Sequence, residues 1–221
     1  MAPFGKIWSY TPSPRVMRIQ AAANLNGLEL VVPDFVMRET NRSPEFLSKF
    51  PFGKVPTFEG ADGTNLIETD AIAEYVALSG PAAGQLMGST PVERATIRQW
   101  ICFSQGEVMD NVVQLALWRR GAKPYDEATE NNALERLGRS LTFLDSHLKD
   151  RAWVCSEDKI NMADITLASA LAWGFSMGID AEMRAKYPIT VAWYERVIAV
   201  DEVKQAFGEK NFIEKRQVPQ N

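Results

Sequence analysis

The chain has 221 residues, of which 46% are hydrophobic and 24% are charged, so it can bury one large core or two smaller ones. Its formal net charge of −4 gives no reason to expect a nucleic-acid partner. Cys102 and Cys155 provide neither a disulfide framework nor a metal-ligand spacing. The start of the chain lacks the pattern of a signal peptide, and no apolar run is long enough for a transmembrane helix. We therefore expect a cytoplasmic globular protein without a metal and without a membrane partner.

Strands and helices alternate at the start of the chain. Residues 5–10 are typical of a first strand, and Pro14 suits the first turn of a helix that ends at Asn26 and Gly27. The apolar run 28–32 then predicts a second strand, which we expect to be buried on both faces.

A second helix and a hairpin follow. Ser43 is a good N-cap, and Pro44 fits the first helical position because its missing N–H would have no partner there anyway. Residues 55–59 and 65–68 predict two antiparallel strands, and Thr69 opens a third helix. This order of elements is compatible with a thioredoxin-like α/β domain over residues 1–80.

Pro56 opens a strand although a proline removes one donor of the sheet ladder. If the Val55–Pro56 bond is cis, the backbone of Val55 faces outward and can pair with an extended ligand. An ordinary trans proline is the commoner alternative. The free N–H groups of the helix that begins at Thr69 suit a carboxylate. Together, these features indicate a pocket for a small anionic peptide.

The second half of the chain shows only helical patterns. After a Gly- and Ala-rich linker at residues 80–89, Thr90 and Glu93 form the pattern of a capping box. A single apolar face is then predicted by five leucines three and four residues apart: Leu134, Leu137, Leu141, Leu144 and Leu148. We expect an all-helical domain over residues 90–221. The lone His147 cannot form a metal site, and we expect it at the surface.

A second capping box is indicated by Asn161 and Asp164, with Ile160 and Ile165 placed to pack across it. This pattern makes Asp164 a folding residue and not a catalyst.

Three segments resemble the soluble glutathione transferases: FPFGKVPTFEG, LIETDAIAEYV and MADITLASALAWGF. The resemblance covers nearly the whole chain. The resemblance is closest to the glutathione-transferase-like domain of the translation elongation factor 1 gamma subunit and to fungal transferases. A weaker resemblance extends to the plant phi class. It implies an α/β thioredoxin-like N-terminal domain followed by an all-α C-terminal domain, with glutathione as co-substrate and detoxification as the role.

The resemblance also implies which residues hold glutathione. Asn41, Arg42 and Lys54 lie where the family binds the glycine carboxylate. The backbone of Val55, followed by Pro56, would pair with the cysteinyl part. Glu68 and Thr69 would hold the γ-glutamyl ammonium and carboxylate.

The segment after the first strand, residues 10–13, contains hydroxyl groups and no cysteine pair. The cysteine thiolate that thiol–disulfide exchange requires is therefore missing. In the family, one Tyr or Ser hydroxyl lowers the thiol pKa of glutathione. Tyr10 matches the elongation-factor-like relatives, whereas counting back four residues from Arg15 selects Thr11, the position that we favour. Ser13 is a third candidate. In the alternative interpretation, Thr11 and Ser13 only cap the helix.

Phe52 lies between two prolines, outside its neighbouring helix. In related transferases an aromatic residue at this place inserts into the partner subunit, which implies a homodimer. The alternative is that Phe52 folds into its own core.

Two functions are compatible with these patterns. The first is an enzyme that conjugates glutathione to small hydrophobic electrophiles. Its electrophile pocket would lie between the domains and use residues 10–13 together with Trp100, Phe103, Glu107 and Asp110. The second is a non-catalytic interaction domain related to the elongation factor 1 gamma subunit. The chain ends after a polar tail, so we expect a free-standing protein, which favours the enzyme.

Overall fold

The computed structural model describes residues 2–219. Its sheet contains four strands in the order β2-β1-β3-β4, and the strands span β1 Gly5–Trp8, β2 Leu30–Val31, β3 Thr57–Gly60 and β4 Asn65–Ile67. β1 is parallel to β2 and antiparallel to β3, and β3 is antiparallel to β4. All four strands are shorter than the sequence predicts. β2 is also not buried on both faces, because Val31 is 37% exposed.

Three helices belong to this sheet: α1 Pro14–Leu25, α2 Pro44–Lys49 and α3 Thr69–Leu78. Ile7 of β1 lies in the main core that α1 and α3 also line. Trp8, the next residue, points to the opposite face and packs edge-on against Phe46 of α2. The helices therefore lie on both faces of the sheet, and the predicted thioredoxin-like domain is confirmed.

The remaining elements are helical and span α4 Ala83–Met87, α5 Pro91–Phe103, α6 Asp110–Arg119, α7 Glu127–His147, α8 Met162–Met177, α9 Ala181–Arg184, α10 Pro188–Ile198 and α11 Asp201–Phe207. A π-helical segment, Ser104–Met109, joins α5 to α6. The predicted capping box opens α5, where Thr90 Oγ1 accepts from the backbone N–H of Glu93. The segment predicted as a linker contains α4.

His147 is not the surface residue that the sequence predicts. It is half-buried at the end of α7, where its Nε2 lies 2.6 Å from the carbonyl oxygen of Val154. Its ring centroid is 4.5 Å from that of Trp100. The correction arises because Trp100 of α5, which is distant in the chain, packs against the imidazole ring, a contact that the local sequence does not reveal.

α8 is the most deeply buried helix of the C-terminal half, and Asp164 in its first turn is 0% exposed. Asp164 Oδ1 accepts from the backbone N–H of Val154 at 2.8 Å and from the indole Nε1 of Trp193 at 3.0 Å. Its Oδ2 accepts from the backbone N–H of Asn161, which completes the predicted capping box. Burial raises the pKa of Asp164 to about 6, although the three donors favour the charged form.

No helix among residues 2–219 combines the length and apolar character needed to cross a membrane. Within the same residues, no group of three or more His, Cys, Asp or Glu side chains is placed to hold a metal ion.

Replacing Asp164 with Ala should lower the free energy of unfolding by about 3–5 kcal/mol, because three buried donors lose their acceptor. Urea denaturation of the variant measures this change. Asp158→Ala is the matched control: Asp158 is exposed, and its loss should cost less than about 0.5 kcal/mol. Equal effects at the two positions would refute the role of Asp164.

Candidate functional site

A cavity of about 520 Å³ opens beside the sheet, and we call it the N-terminal cavity. It lies between the loop after β1, the loop before α2, the segment that leads into β3 and the N-terminus of α3. All seven residues that the resemblance assigns to glutathione line it: Asn41, Arg42, Lys54, Val55, Pro56, Glu68 and Thr69. Residues that lie up to 28 positions apart in the chain (41 to 69) thus line the same cavity in the folded protein.

The walls of the N-terminal cavity are strongly cationic. Arg15, Arg38, Arg42 and Lys54 all line it, and none of the four forms a salt bridge within residues 2–219. Glu68 provides a negative charge on the α3 side. This charge distribution suits a ligand with several anionic groups and one cation. Sequence reasoning did not assign Arg15 or Arg38 to the ligand, because no capping or periodic signal marks their side chains.

The Val55–Pro56 peptide bond is cis, as the sequence analysis considered, and Thr11–Pro12 is a second cis bond that it did not identify. No group among the described residues forms a backbone hydrogen bond with the N–H or the C=O of Val55. Since Val55 lines the N-terminal cavity, both backbone groups are available to an extended ligand.

Glu68 precedes α3 with a φ of 68°, in the left-handed region that non-glycine residues seldom occupy. The backbone is anchored just beyond it, because Asp70 forms a salt bridge of 2.8 Å with Arg18 of α1. Arg18 is 2% exposed, and burial lowers its pKa although Asp70 opposes this shift. The ion pair thus holds the N-terminus of α3 against α1, beside the cavity.

The amide of Asn41 is already used within the protein. Its Nδ2 donates to the carbonyl oxygen of Gly53 at 2.6 Å, and its Oδ1 accepts from the backbone N–H of Arg38 at 2.7 Å. Gly53 has a φ of 61°, and an added Cβ would lie 3.1 Å from the carbonyl oxygen of Asn41. Asn41 therefore positions the loops that carry Arg38 and Lys54.

The three candidate hydroxyl residues occupy different environments. Tyr10 lines the N-terminal cavity, whereas Thr11 is exposed and is not part of its wall. Ser13 is 2% exposed, and its Oγ has no hydrogen-bond partner among the described residues. Ser13 is the N-cap of α1 by backbone conformation, but its side chain does not cap the helix.

Two family models match the chain: "Glutathione S-transferase, N-terminal domain" over residues 3–78 and "Glutathione S-transferase, C-terminal domain" over residues 108–201. The glutathione S-transferase-like protein LUC7 of Fusarium sp is 48% identical over 218 residues, which are 99% of each chain. The chain belongs to the glutathione transferase family. It is also 33% identical to elongation factor 1-gamma of Rattus norvegicus, over 96% of this chain and 48% of that protein.

Solved structures of the glutathione transferase family share the fold. The glutathione-transferase-like domain of elongation factor 1-gamma from Saccharomyces cerevisiae superposes with a TM-score of 0.83 at 22% identity, covering 100% of both chains. A theta class transferase from Xanthomonas axonopodis pv. citri, solved with glutathione bound, has a TM-score of 0.80 at 24% identity, covering 94% of this chain and 99% of that one.

Phe52 stays outside the core of its own chain. Its side chain is 65% exposed, and the Nζ of Lys54 lies 4.7 Å from its ring centroid. The alternative in which Phe52 folds back into its own chain is therefore wrong.

A second cavity, of about 290 Å³, lies between the two halves of this transferase-family chain, and we call it the interdomain cavity. Pro12 and Met17 line it from the N-terminal side, and Trp173 and Met177 of α8 face them. The loop after β1 therefore borders both cavities, because Tyr10 belongs to the first and Pro12 to the second.

Pro12, from the expected segment 10–13, does line the interdomain cavity. The four helical residues that we expected beside it do not: Trp100, Phe103, Glu107 and Asp110. Trp100 is 3% exposed and packs against Phe103 and Phe143. Glu107 lies 3.9 Å from Arg136, on the side of α7. For these four residues the prediction was wrong, because it assumed which face of the helix meets the N-terminal domain.

Proposed function

We propose that this chain is a glutathione transferase that binds glutathione in the N-terminal cavity and conjugates it to a small hydrophobic electrophile in the interdomain cavity. The observation that carries the proposal is the set of four unpaired cations opposite Glu68, beside the free backbone of Val55. Detoxification in the cytoplasm is the role that we propose for it. The two free cysteines support a reducing compartment.

Glutathione fits this wall group by group. It carries two carboxylates, one ammonium and a peptide backbone that can extend along Val55. Arg42 and Lys54 would bind the glycine carboxylate, while Glu68 would accept from the γ-glutamyl ammonium. The first N–H groups of α3, from Thr69 onward, would bind the γ-glutamyl carboxylate.

Catalysis requires the thiolate. A free thiol has a pKa of about 8.5, so only a few per cent is ionised at pH 7. A hydroxyl donor and the N-terminus of α1 would together stabilise the negative sulfur. The thiol proton passes to solvent as the thiolate forms. A sulfur lone pair of the thiolate then forms the bond to the electrophilic carbon, and the leaving group departs with its bonding electrons.

The donor is one of Tyr10, Thr11 and Ser13, and we now propose Tyr10. Tyr10 lines the cavity that would hold the tripeptide, whereas Thr11, the choice from sequence alone, is exposed outside its wall.

Tyr10→Phe should lower kcat about ten- to a hundredfold and shift the thiolate absorbance titration to higher pH, with little change in glutathione affinity. Thr11→Val and Ser13→Ala are the matched controls, each of which removes one hydroxyl. If either control shows the loss instead, the donor is reassigned to that residue. Wild-type turnover and an unchanged titration in all three variants would contradict the hydroxyl mechanism.

Glu68→Gln should weaken glutathione binding about tenfold, because the variant loses the charge that pairs with the ammonium but keeps the side-chain length. Isothermal titration calorimetry measures the affinity. Glu135→Gln is the control, since Glu135 is an exposed residue of α7 far along the chain from the cavity. Unchanged affinity in Glu68→Gln would remove Glu68 from the site.

We also propose a homodimer in which Phe52 inserts into the partner subunit. The exposed Phe52 ring supports this arrangement, as does a second exposed aromatic, Phe143, which is 51% exposed on α7. Large apolar side chains exposed in this way are typical of interfaces.

Phe52→Ser should weaken dimerisation by about 2 kcal/mol or more, because a buried aromatic anchor is lost. Sedimentation velocity across a concentration series measures this effect. Val218→Ser, at another exposed apolar residue, should leave the dimer unchanged. A wild-type chain that is monomeric at micromolar concentration would exclude the proposal.

The second candidate function is a non-catalytic interaction domain, which the likeness to elongation factor 1-gamma supports. An assay of conjugation with 1-chloro-2,4-dinitrobenzene separates the two candidates. Turnover supports the enzyme, whereas glutathione binding without turnover of this or other electrophiles favours the interaction domain.

A further inference from the structure

The interdomain cavity is mainly apolar. Trp173, Met177 and Phe207 line it together with Pro12 and Met17. A flat hydrocarbon or aromatic ligand could stack on the ring face of Trp173 and pack against the flexible thioether side chains of Met17 and Met177. With about 290 Å³, the cavity has room for a ligand of roughly two fused rings.

Arg120 brings an unpaired positive charge to this apolar cavity. It follows the end of α6 and lines the cavity, and its guanidinium lies 5.9 Å from the Trp173 ring centroid. Within residues 2–219 it forms no salt bridge. The adjacent Arg119 differs, because it is held by Glu130 and by the carbonyl oxygen of Leu115. The guanidinium of Arg120 is therefore free to bind an acceptor in the cavity.

Glu209 also lines the cavity, on the exposed segment after α11. It does not pair with Arg120, so it leaves the guanidinium donors free. Its negative charge disfavours a ligand with a second anionic group. The two charged side chains of the cavity thus suit a ligand with one carboxylate and no second anionic group.

We propose that the interdomain cavity takes a flat apolar electrophile that carries a single carboxylate, which Arg120 binds. This inference rests on the proposed transferase function, since it names the class of the second substrate. Because a planar guanidinium binds a carboxylate through two parallel hydrogen bonds, the preference is for a carboxylate over an amide of the same shape. Arg120 is solvent-exposed, so the preference is moderate and falls as salt is added.

Calorimetric titration with 2-naphthoate and 2-naphthamide tests the inference without any catalytic step. The two probes share size and shape and differ in charge. Wild-type protein at low salt should bind the naphthoate about three- to tenfold more tightly. Arg120→Gln should abolish that difference while keeping the affinity for the naphthamide, which also shows that the cavity is still folded.

Arg139→Gln is the matched control, because Arg139 is exposed on α7 and forms no salt bridge in the described part of the chain. It removes the same charge and should keep the naphthoate preference. Glu209→Gln should raise the affinity for naphthalene-2,6-dicarboxylate more than the affinity for naphthoate, since it removes the repulsion of a second anion.

Equal affinities in the wild type, a preference that survives Arg120→Gln, or no binding of either probe would each overturn the inference. Parallel assays of glutathione binding and of 1-chloro-2,4-dinitrobenzene conjugation separate it from the proposed function. Conjugation without a carboxylate preference refutes only the substrate class, whereas absence of conjugation and of glutathione binding refutes the transferase function.

Discussion

The buried carboxylate of Asp164 is the interaction on which the rest of the C-terminal half depends. α8 lies inside the protein, so the donors around its first turn cannot reach water, and Asp164 accepts from three of them. The helix packs against α1, α5, α6 and α10 and provides Trp173 and Met177 to the interdomain cavity. A capping residue remote from the chemistry therefore determines where one wall of that cavity lies.

α1 connects this buried framework to the ligand cavities. It packs against α3 within the N-terminal half and against α8 and α11 on its other side. The residues around its N-terminus line both cavities, Tyr10 and Arg15 on one side and Pro12 and Pro14 on the other. A thiol at this helix end would lie close to an electrophile between the domains, and such proximity contributes to rate without any new chemical group.

Charge is distributed unevenly over the protein, and the two cavities differ from the chain as a whole. The whole chain has a formal net charge of −4, yet four unpaired cations surround the N-terminal cavity. The total charge therefore gives no information about the ligand, because the local field in a cleft depends on the few side chains that line it. In the interdomain cavity, the unpaired Arg120 adds one positive charge to an apolar wall, so the two cavities differ in the ligands that they suit.

The sequence by itself determined what depends on near neighbours. The capping boxes at Thr90 and Asn161 and the order of strands and helices follow from local patterns, and the family resemblance identified seven residues that share one cavity. Only the tertiary structure decided which side chains are accessible: it exposed Thr11, buried Trp100, packed His147 against Trp100, and placed Arg38 and Arg120 at the cavity walls. The physical reason is how far apart in the chain the contacting residues lie. Caps and turns are satisfied within a few residues, whereas accessibility depends on packing between segments distant in the chain, which no local pattern encodes.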